Sequence, residues 1–296
     1  MTRGMPNTGC MRATPEPLTF RRAVLGLRVI HPLPSALNAA LVIALAIVAG
    51  ASLLEAGLLG LAMLGFQASI GALNDVVDAD RDRLAKLTKP IPAGVIDRRG
   101  ATIVSMAGAA VGLVISAGFG LPVLILGAAG YGCGLAYDLV MRRRGQGWIC
   151  FAGAFPLLLA WTWMAAAGSL PPGWPLLLPL AALAGPTIHL ANSLVDMGAD
   201  EQAGVTSLAT SLGEDRAPLV LTILTTVIYA LAWVILRWLA DLHTAALLAA
   251  TAATLCAGLG VSLSWRSATR AREQGWLLQA TGLALLAVAW AAAASA

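Results

Sequence analysis

The chain of 296 residues is 58% hydrophobic and only 11% charged, and its mean hydropathy is +0.80. Soluble domains rarely reach this balance, so the composition excludes an ordinary soluble globular protein and indicates a protein embedded in a membrane. The net charge of +4 does not require a nucleic-acid partner, because arginines facing the cytoplasmic leaflet of a membrane account for it.

Nine apolar stretches of about 20 residues are each long enough to cross the roughly 30 Å hydrocarbon core of a bilayer. They lie at 34–54, 56–74, 101–120, 121–138, 148–168, 175–195, 217–239, 243–264 and 276–295. The sequence therefore predicts an all-α, polytopic membrane protein, with nine transmembrane helices in a bundle around a central cavity. Residues 28–296 are predicted to form this membrane-embedded domain. Residues 1–27 carry scattered arginines and prolines without a long apolar core, which predicts a flexible cytoplasmic tail.

The distribution of basic residues predicts the orientation of these helices. With the N-terminus in the cytoplasm, 18 of the 19 lysines and arginines fall on the cytoplasmic side, and only Arg237 lies at an external end. This asymmetry is the one that the positive-inside rule requires. We therefore expect a multi-pass protein of a bacterial-type plasma membrane, with its C-terminus outside.

Two acidic motifs stand at the ends of apolar stretches. The first comprises Asn74, Asp75, Asp78 and Asp82, whose three carboxylates at i, i+3 and i+7 share one face of a helix. The pattern N-x3-D-x3-D returns 118 residues later, at Asn192, Asp196 and Asp200. Carboxylates at this depth are costly unless they pair or bind ions, so two such sets indicate a functional site. Both are predicted to lie at cytoplasmic helix ends.

Aspartate oxygens are typical ligands of Mg²⁺, which is usually held by one or two carboxylates and completed by water and substrate phosphate oxygens. The predicted metal ligands are Asp75, Asp78, Asp82, Asp196 and Asp200. The implied substrate is a phosphate or a diphosphate. Lys86 and Lys89 follow the first motif and are predicted to bind diphosphate oxygens, since such a leaving group needs its charge neutralised. The alternative is that these lysines serve only to orient the loop.

The loops after the two motifs differ in character. The first contains Pro90, Pro92 and Gly94, which break any long helix, and it is polar enough to lie outside the bilayer and cover a site. In the second, Ser207 and Gly213 predict a turn followed by a short helix.

These motifs resemble those of the UbiA superfamily of intramembrane prenyltransferases. The segment from Asn74 to Asp82 is similar to the family's first signature, and the following K-P-I-P-A-G at 89–94 resembles its continuation. Asp196-x3-Asp200, with Gly204 and Leu208 downstream, resembles the second signature. Nine spans agree with the family's architecture across residues 25–295.

The resemblance implies transfer of a prenyl group from a polyprenyl diphosphate to a small-molecule acceptor, most often an aromatic ring or quinone precursor, with membrane lipid around the prenyl tail. Two Mg²⁺ ions would bridge the carboxylates and the diphosphate. By resemblance, the first motif holds one ion and the second motif holds the other. The substrate-binding residues implied are Asn74, Lys86, Lys89, Asn192, Arg28 and Tyr137.

The chain departs from the family pattern at two positions. Ser193 stands where many members carry an aspartate, and Glu201 or Asn192 is the candidate to compensate. Tyr137 begins an element similar to the family's Y-x3-K, but Met141 stands where lysine is expected and Arg142 follows.

Other hypotheses fit parts of the same sequence. His189, on the helical face of Asn192, either contacts the acceptor or hydrogen-bonds to a neighbouring helix. Duplicated acidic sets also suit an ion-coupled membrane transporter. A non-catalytic member of the family, acting as a membrane partner protein, is the third alternative.

Overall fold

The computed structural model describes residues 25–171, 173–202, 204–239 and 244–294, and most of the predicted tail at 1–27 lies outside them. The described residues form α-helices joined by short turns and contain no β-strand. The helices are α1 Pro32–Val48, α2 Leu53–Ala85, α3 Arg98–Gly118, α4 Leu121–Ala136, α5 Gly147–Ala167, α6 Trp174–Gln202, α7 Leu208–Leu212, α8 Arg216–Leu239, α9 Thr244–Ser264 and α10 Thr269–Ala294. A turn of π-helix, Tyr137–Met141, continues α4 and will be called the π turn.

Eight of the described helices, all but α1 and α7, are long and apolar enough to cross a membrane. The first predicted span corresponds to α1, a shorter apolar helix of 17 residues. The predicted all-α, multi-pass membrane fold is therefore confirmed. The predicted break between the third and fourth spans is also present, since Gly120 adopts a φ of 106° between α3 and α4. Glycine favours this turn because it has no Cβ to clash there.

The two helices that carry the acidic motifs extend well past their apolar stretches. Helix α2 begins at a capping box between Ser52 and Glu55 and runs about three turns beyond residue 74, to Ala85. Helix α6 likewise reaches Gln202. The long polar ends of α2 and α6 therefore hold both motifs in regular helix.

Close helix packing fixes α2 in the bundle. A Cβ added at Gly65 would lie 2.7 Å from the carbonyl oxygen of Gly108 on α3, so only glycine allows this approach. One turn later Ser69 is fully buried, and its hydroxyl lies 3.1 Å from that of Ser105 on α3 and 2.8 Å from that of Tyr131 on α4. These contacts set the position of α2 just before its acidic motif.

Candidate active site

A cavity of about 1320 Å³ connects the two acidic motifs with the apolar interior of the bundle. On α10 its wall runs from Trp276 to Trp290, which at 1.5 Å per residue spans about 21 Å. The end near the motifs is lined by charged and amide side chains, whereas the deep end is lined by residues such as Leu177, Leu236 and Trp290. The cavity can therefore hold a molecule with an anionic head and a long apolar tail.

The first motif is neutralised by a lysine from the loop that follows it. Asp75 and Asp82 are 2% and 3% exposed, and Lys89 Nζ lies 2.9 Å from Asp75 Oδ1 and 2.7 Å from Asp82 Oδ2. Burial disfavours the charged form of Lys89, but its hydrogen bonds and charge interactions with Asp82 and Asp75 outweigh this effect and raise its pKa. The loop is thus drawn back over the end of α2.

Two links join α2 to the π turn and to the residue that follows it. Asn74 Nδ2 donates a hydrogen bond of 2.8 Å to Asp138 Oδ1, and Arg142 pairs with Asp78. Asn74 and Asp78 are four residues apart on α2, as are Asp138 and Arg142 on the other side. All four residues line the cavity. In the sequence Arg142 stands out only as the residue after Met141, and Asp138 belongs to neither acidic motif.

The π turn determines which residue after Tyr137 reaches the cavity. The backbone N–H of Arg142 donates to the carbonyl oxygen of Tyr137, five residues back instead of the four of an α-helix. The extra residue places Arg142 where residue 141 would stand in regular helix. Arg142 lines the cavity and Met141 is not among its lining residues. A cation therefore occupies the place in space where the sequence pattern showed methionine.

The second motif is more open. Asn192 and Asp196 are exposed, Asp200 is half-buried, and all three line the cavity opposite the first motif. Ser193 is buried, and its hydroxyl donates to the carbonyl oxygen of His189 at 2.9 Å. Of the two residues considered as replacements for a missing carboxylate, Asn192 lines the cavity and Glu201 does not.

Three rings form one wall of the cavity beside the motifs. The Phe151 and His189 rings lie 4.7 Å apart and tilted by 33°, and the Tyr137 ring meets both edge-on at 5.4 and 5.7 Å. A Cβ added at Gly185 would lie 2.1 Å from the carbonyl oxygen of Phe151. Glycine at 185 therefore lets α6 approach α5 closely, and this approach brings His189 into the wall.

The remaining residues predicted from the sequence differ in whether they line the cavity. Lys86 is exposed and lines the cavity, whereas Arg28 is exposed and is not among the lining residues. His31, which the sequence did not single out, lines the cavity with its Nε2 atom 3.6 Å from Asp75 Oδ1. Its backbone adopts a φ of 48°, an unusual conformation for a residue with a side chain. The sequence does not predict that His31 adopts a positive φ or that its side chain lies beside the buried carboxylate of Asp75.

The donor set suits Mg²⁺ when a phosphate supplies part of the coordination. Within the described residues no three histidine, cysteine or acidic side chains converge into a ready-made cluster for a cation. Asn74, Asp78, Asp196 and Asp200, whose side chains carry amide or carboxylate oxygens, nevertheless line the cavity. Asp75 and Asp82 are not among its lining residues, but Asp75 Oδ2 is buried without a hydrogen-bond partner. Mg²⁺ commonly completes such partial sets with water and substrate phosphate oxygens. The residues present therefore fit the ion.

Comparison with known proteins gives a consistent result. A sequence model of the UbiA prenyltransferase family matches residues 35–280. Among curated proteins no sequence matches the chain. A UbiA homologue from Aeropyrum pernix K1 in its apo form is 18% identical, with a TM-score of 0.71 over 85% of this chain and 95% of that one.

Two further solved structures share the fold. A UbiA homologue from Archaeoglobus fulgidus bound to GPP and Mg²⁺ is 20% identical, with a TM-score of 0.65 over 88% of this chain and 99% of that one. The structure of a digeranylgeranylglyceryl phosphate synthase is 16% identical, with a TM-score of 0.68 over 93% of this chain and 99% of that one. At these identities the similarity establishes a common fold.

Proposed function

The chain belongs to the UbiA prenyltransferase family, and from this premise we propose that it transfers a prenyl group from a polyprenyl diphosphate to an aromatic or quinone-precursor acceptor. The observation that carries the proposal is one cavity, about 21 Å long on α10, that is charged at one end and apolar at the other. Its charged end is lined by Asn74 and Asp78 of the first motif and by Asn192, Asp196 and Asp200 of the second, while Asp75 and Asp82 lie buried beside it. Such a cavity matches the two chemical parts of a prenyl diphosphate. The A. fulgidus homologue, bound to GPP and Mg²⁺, supports the same assignment.

In the proposed reaction the bond between the allylic carbon and its diphosphate oxygen breaks, and the electron pair stays on the diphosphate. A ring carbon of the acceptor forms the new carbon–carbon bond and then passes its proton to the released diphosphate, which restores the aromatic ring. Bound Mg²⁺ would supply positive charge against the charge that builds on the leaving group. Its proposed ligands are Asn74, Asp75, Asp78 and Asp82 on one side and Asn192, Asp196 and Asp200 on the other.

The basic residues at the charged end take part in binding the diphosphate. Arg142 and Lys89 are held at the motifs by their aspartate partners, and Lys86 lines the same end of the cavity. Guanidinium and ammonium groups placed before the substrate arrives stabilise developing phosphate charge without rearrangement. The apolar wall behind them excludes water from the reacting allylic carbon, which favours attack by the acceptor over hydrolysis.

Mass spectrometry of products provides the test. Membranes containing the protein are supplied with mixed prenyl diphosphates and a panel of hydroxybenzoate, naphthoate and homogentisate acceptors, with Mg²⁺ or with EDTA. A prenylated acceptor formed only with Mg²⁺ supports the proposal. Full product formation in EDTA would contradict the metal step, and absence of any product across donors and acceptors would favour the non-catalytic alternative. Family membership gives no support to the transporter hypothesis.

A further inference from the structure

Asp138 is a buried carboxylate at the cavity that neither motif includes. Its side chain is 3% exposed although it lies beside the polar end of the cavity and is one of the lining residues. Oδ1 accepts the hydrogen bond from Asn74 Nδ2 at 2.8 Å, and Oδ2 is buried with no hydrogen-bond partner in the described structure. A buried carboxylate is costly, so its retention in this wall calls for a specific interaction.

The chemistry of the pair determines which way the Asn74 amide points. An ionised carboxylate only accepts hydrogen bonds, whereas an amide donates through its nitrogen and accepts through its oxygen. Asp138 therefore selects the orientation in which Asn74 Nδ2 faces the π turn. The opposite end of the amide, Oδ1, accepts no hydrogen bond from any described residue, and Asn74 lines the cavity.

Neighbouring contacts hold this arrangement in place. Arg142, one turn along from Asp138, pairs with Asp78, one turn along from Asn74, so α2 and the π turn are joined at two levels. The π turn thus places Asp138 beside Asn74 and Arg142 beside Asp78. Asp138 is the second residue of this π turn, and Arg142 directly follows the turn.

We propose that Asp138 is a positioning residue that fixes the Asn74 amide with Oδ1 directed toward the Mg²⁺ bound with the diphosphate. The inference deepens the proposed function and rests on it, because it requires that the first motif holds this ion. Groups that orient metal ligands typically change metal affinity by about 10- to 100-fold when they are removed.

A double-mutant cycle tests the proposal without turnover. The purified protein is titrated with Mn²⁺ in the presence of an unreactive prenyl thiodiphosphate, and free Mn²⁺ is measured by electron paramagnetic resonance. The variants are Asp138→Asn, which has the same shape but no longer selects one amide orientation, Asn74→Ala, and the two combined. Asp138→Ala serves as a second variant that removes the acceptor atom altogether. Thr225→Val is the matched control. It removes a buried hydrogen bond of 3.3 Å from Thr225 Oγ1 to Gln279 Oε1, and neither residue lines the cavity.

Asp138→Asn should weaken Mn²⁺ binding about tenfold in the otherwise unaltered protein. In the Asn74→Ala background the same change should alter affinity less than about twofold, because there is no amide left to orient. Thr225→Val should leave affinity unchanged. An equal loss in both backgrounds, or no loss with either Asp138 variant while the protein remains folded, would overturn the proposal.

The outcomes separate this inference from the proposed function. Coupling between Asn74 and Asp138 in a protein that forms no prenylated product would contradict the proposed function alone. Mn²⁺ binding without coupling would contradict the inference alone. No Mn²⁺ binding by the unaltered protein would overturn both the inference and the metal step of the reaction.

Discussion

Arg142 pairs with Asp78 because a single extra residue in the π turn rotates the arginine into the cavity. In regular α-helix the side chain four residues after Tyr137 would be that of Met141. The π turn therefore brings Arg142, and not Met141, to the cavity. A helix with an inserted residue keeps the orientation of the residues that follow it, and π turns frequently occur at functional sites.

Replacing Arg142 should impair diphosphate binding. Arg142→Ala removes a cation from the cavity and leaves Asp78 unpaired, and we expect kcat/KM for the prenyl diphosphate to fall by about 100-fold. Arg142→Lys should retain part of the activity, because lysine keeps the charge but loses the planar fork of the guanidinium. Steady-state kinetics with the prenyl diphosphate varied measure both effects.

The double variant Met141→Lys/Arg142→Met distinguishes the spatial explanation from the sequence pattern. It restores the Y-x3-K spacing in the sequence, but with the π turn intact the lysine side chain at position 141 would not line the cavity. We expect it to be as impaired as Arg142→Ala. Activity equal to that of the unaltered protein would show that the π turn does not determine which residue reaches the diphosphate.

The carboxylates of both motifs should be required for turnover. We expect Asp78→Ala and Asp196→Ala to abolish product formation, because each removes a proposed Mg²⁺ ligand from one side of the cavity. Glu201→Ala, an exposed acidic change on the same helix as Asp196 but outside the cavity lining, is the control and should retain activity. Product assays on equal amounts of membrane-inserted protein provide the measurement, and full activity of Asp78→Ala would refute the assignment.

Lys89 should stabilise the fold as well as the site. Lys89→Met would leave Asp75 and Asp82 buried without their cation, and loss of one partner of a buried ion pair costs about 3 kcal/mol or more. Lys86→Met removes an exposed lysine for which the described residues provide no ion pair, so it should change stability by less than about 0.5 kcal/mol. Thermal unfolding in detergent compares the two variants.

The stabilisation by Lys89 should also depend on pH in a defined direction. Its pKa in the folded protein is raised above the ordinary value of 10.5, so the folded state holds the proton more tightly than the unfolded state does. The contribution is therefore fully present below about pH 10.5 and is lost as the pH rises through the folded pKa. The stability difference between the unaltered protein and Lys89→Met should be constant from pH 7 to 9 and shrink above pH 10.5. A difference that grew with pH would contradict this assignment.

The sequence was sufficient for the membrane fold because long apolar stretches and helical spacing of aspartates are local patterns. It was also sufficient for the short helix after the second motif, where Ser207 caps α7 and Gly213 ends it. These features depend on residues a few positions apart, and tertiary contacts did not change them.

The details of the site depend on contacts between distant segments, and the sequence did not reveal them. Asp138 and Asn74 are 64 residues apart, and no sequence pattern in either segment predicts that their side chains form a hydrogen bond. The π turn changes the helical register by one residue, which spacing rules for regular helix do not include. Lys89 was expected at the diphosphate, but only the folded loop shows that it also pairs with Asp75 and Asp82.

The apolar end of the cavity should limit the length of the prenyl donor. Ala284→Phe adds a ring to the cavity wall on α10, and we expect kcat/KM for a long prenyl diphosphate to fall about tenfold relative to that for a short one. Ala107→Phe, on the exposed face of α3, is the matched control and should not change the ratio. Competition between two donors in one assay gives the ratio directly, and equal losses for both donors would argue against a length limit at Ala284.

The orientation in the membrane can be tested with single cysteines in a background that lacks the four native ones. Both motif ends are proposed to face the cytoplasm, because 18 of 19 basic residues then lie on that side. Leu87→Cys and Glu214→Cys place exposed thiols in the loops after the two motifs, and Ser169→Cys places one between α5 and α6 at the opposite end. In sealed right-side-out cells an impermeant maleimide should label only Ser169→Cys, and the other two should react once the inner face is opened. Labelling of Leu87→Cys or Glu214→Cys in sealed cells would reverse the proposed orientation and place diphosphate binding on the outer face.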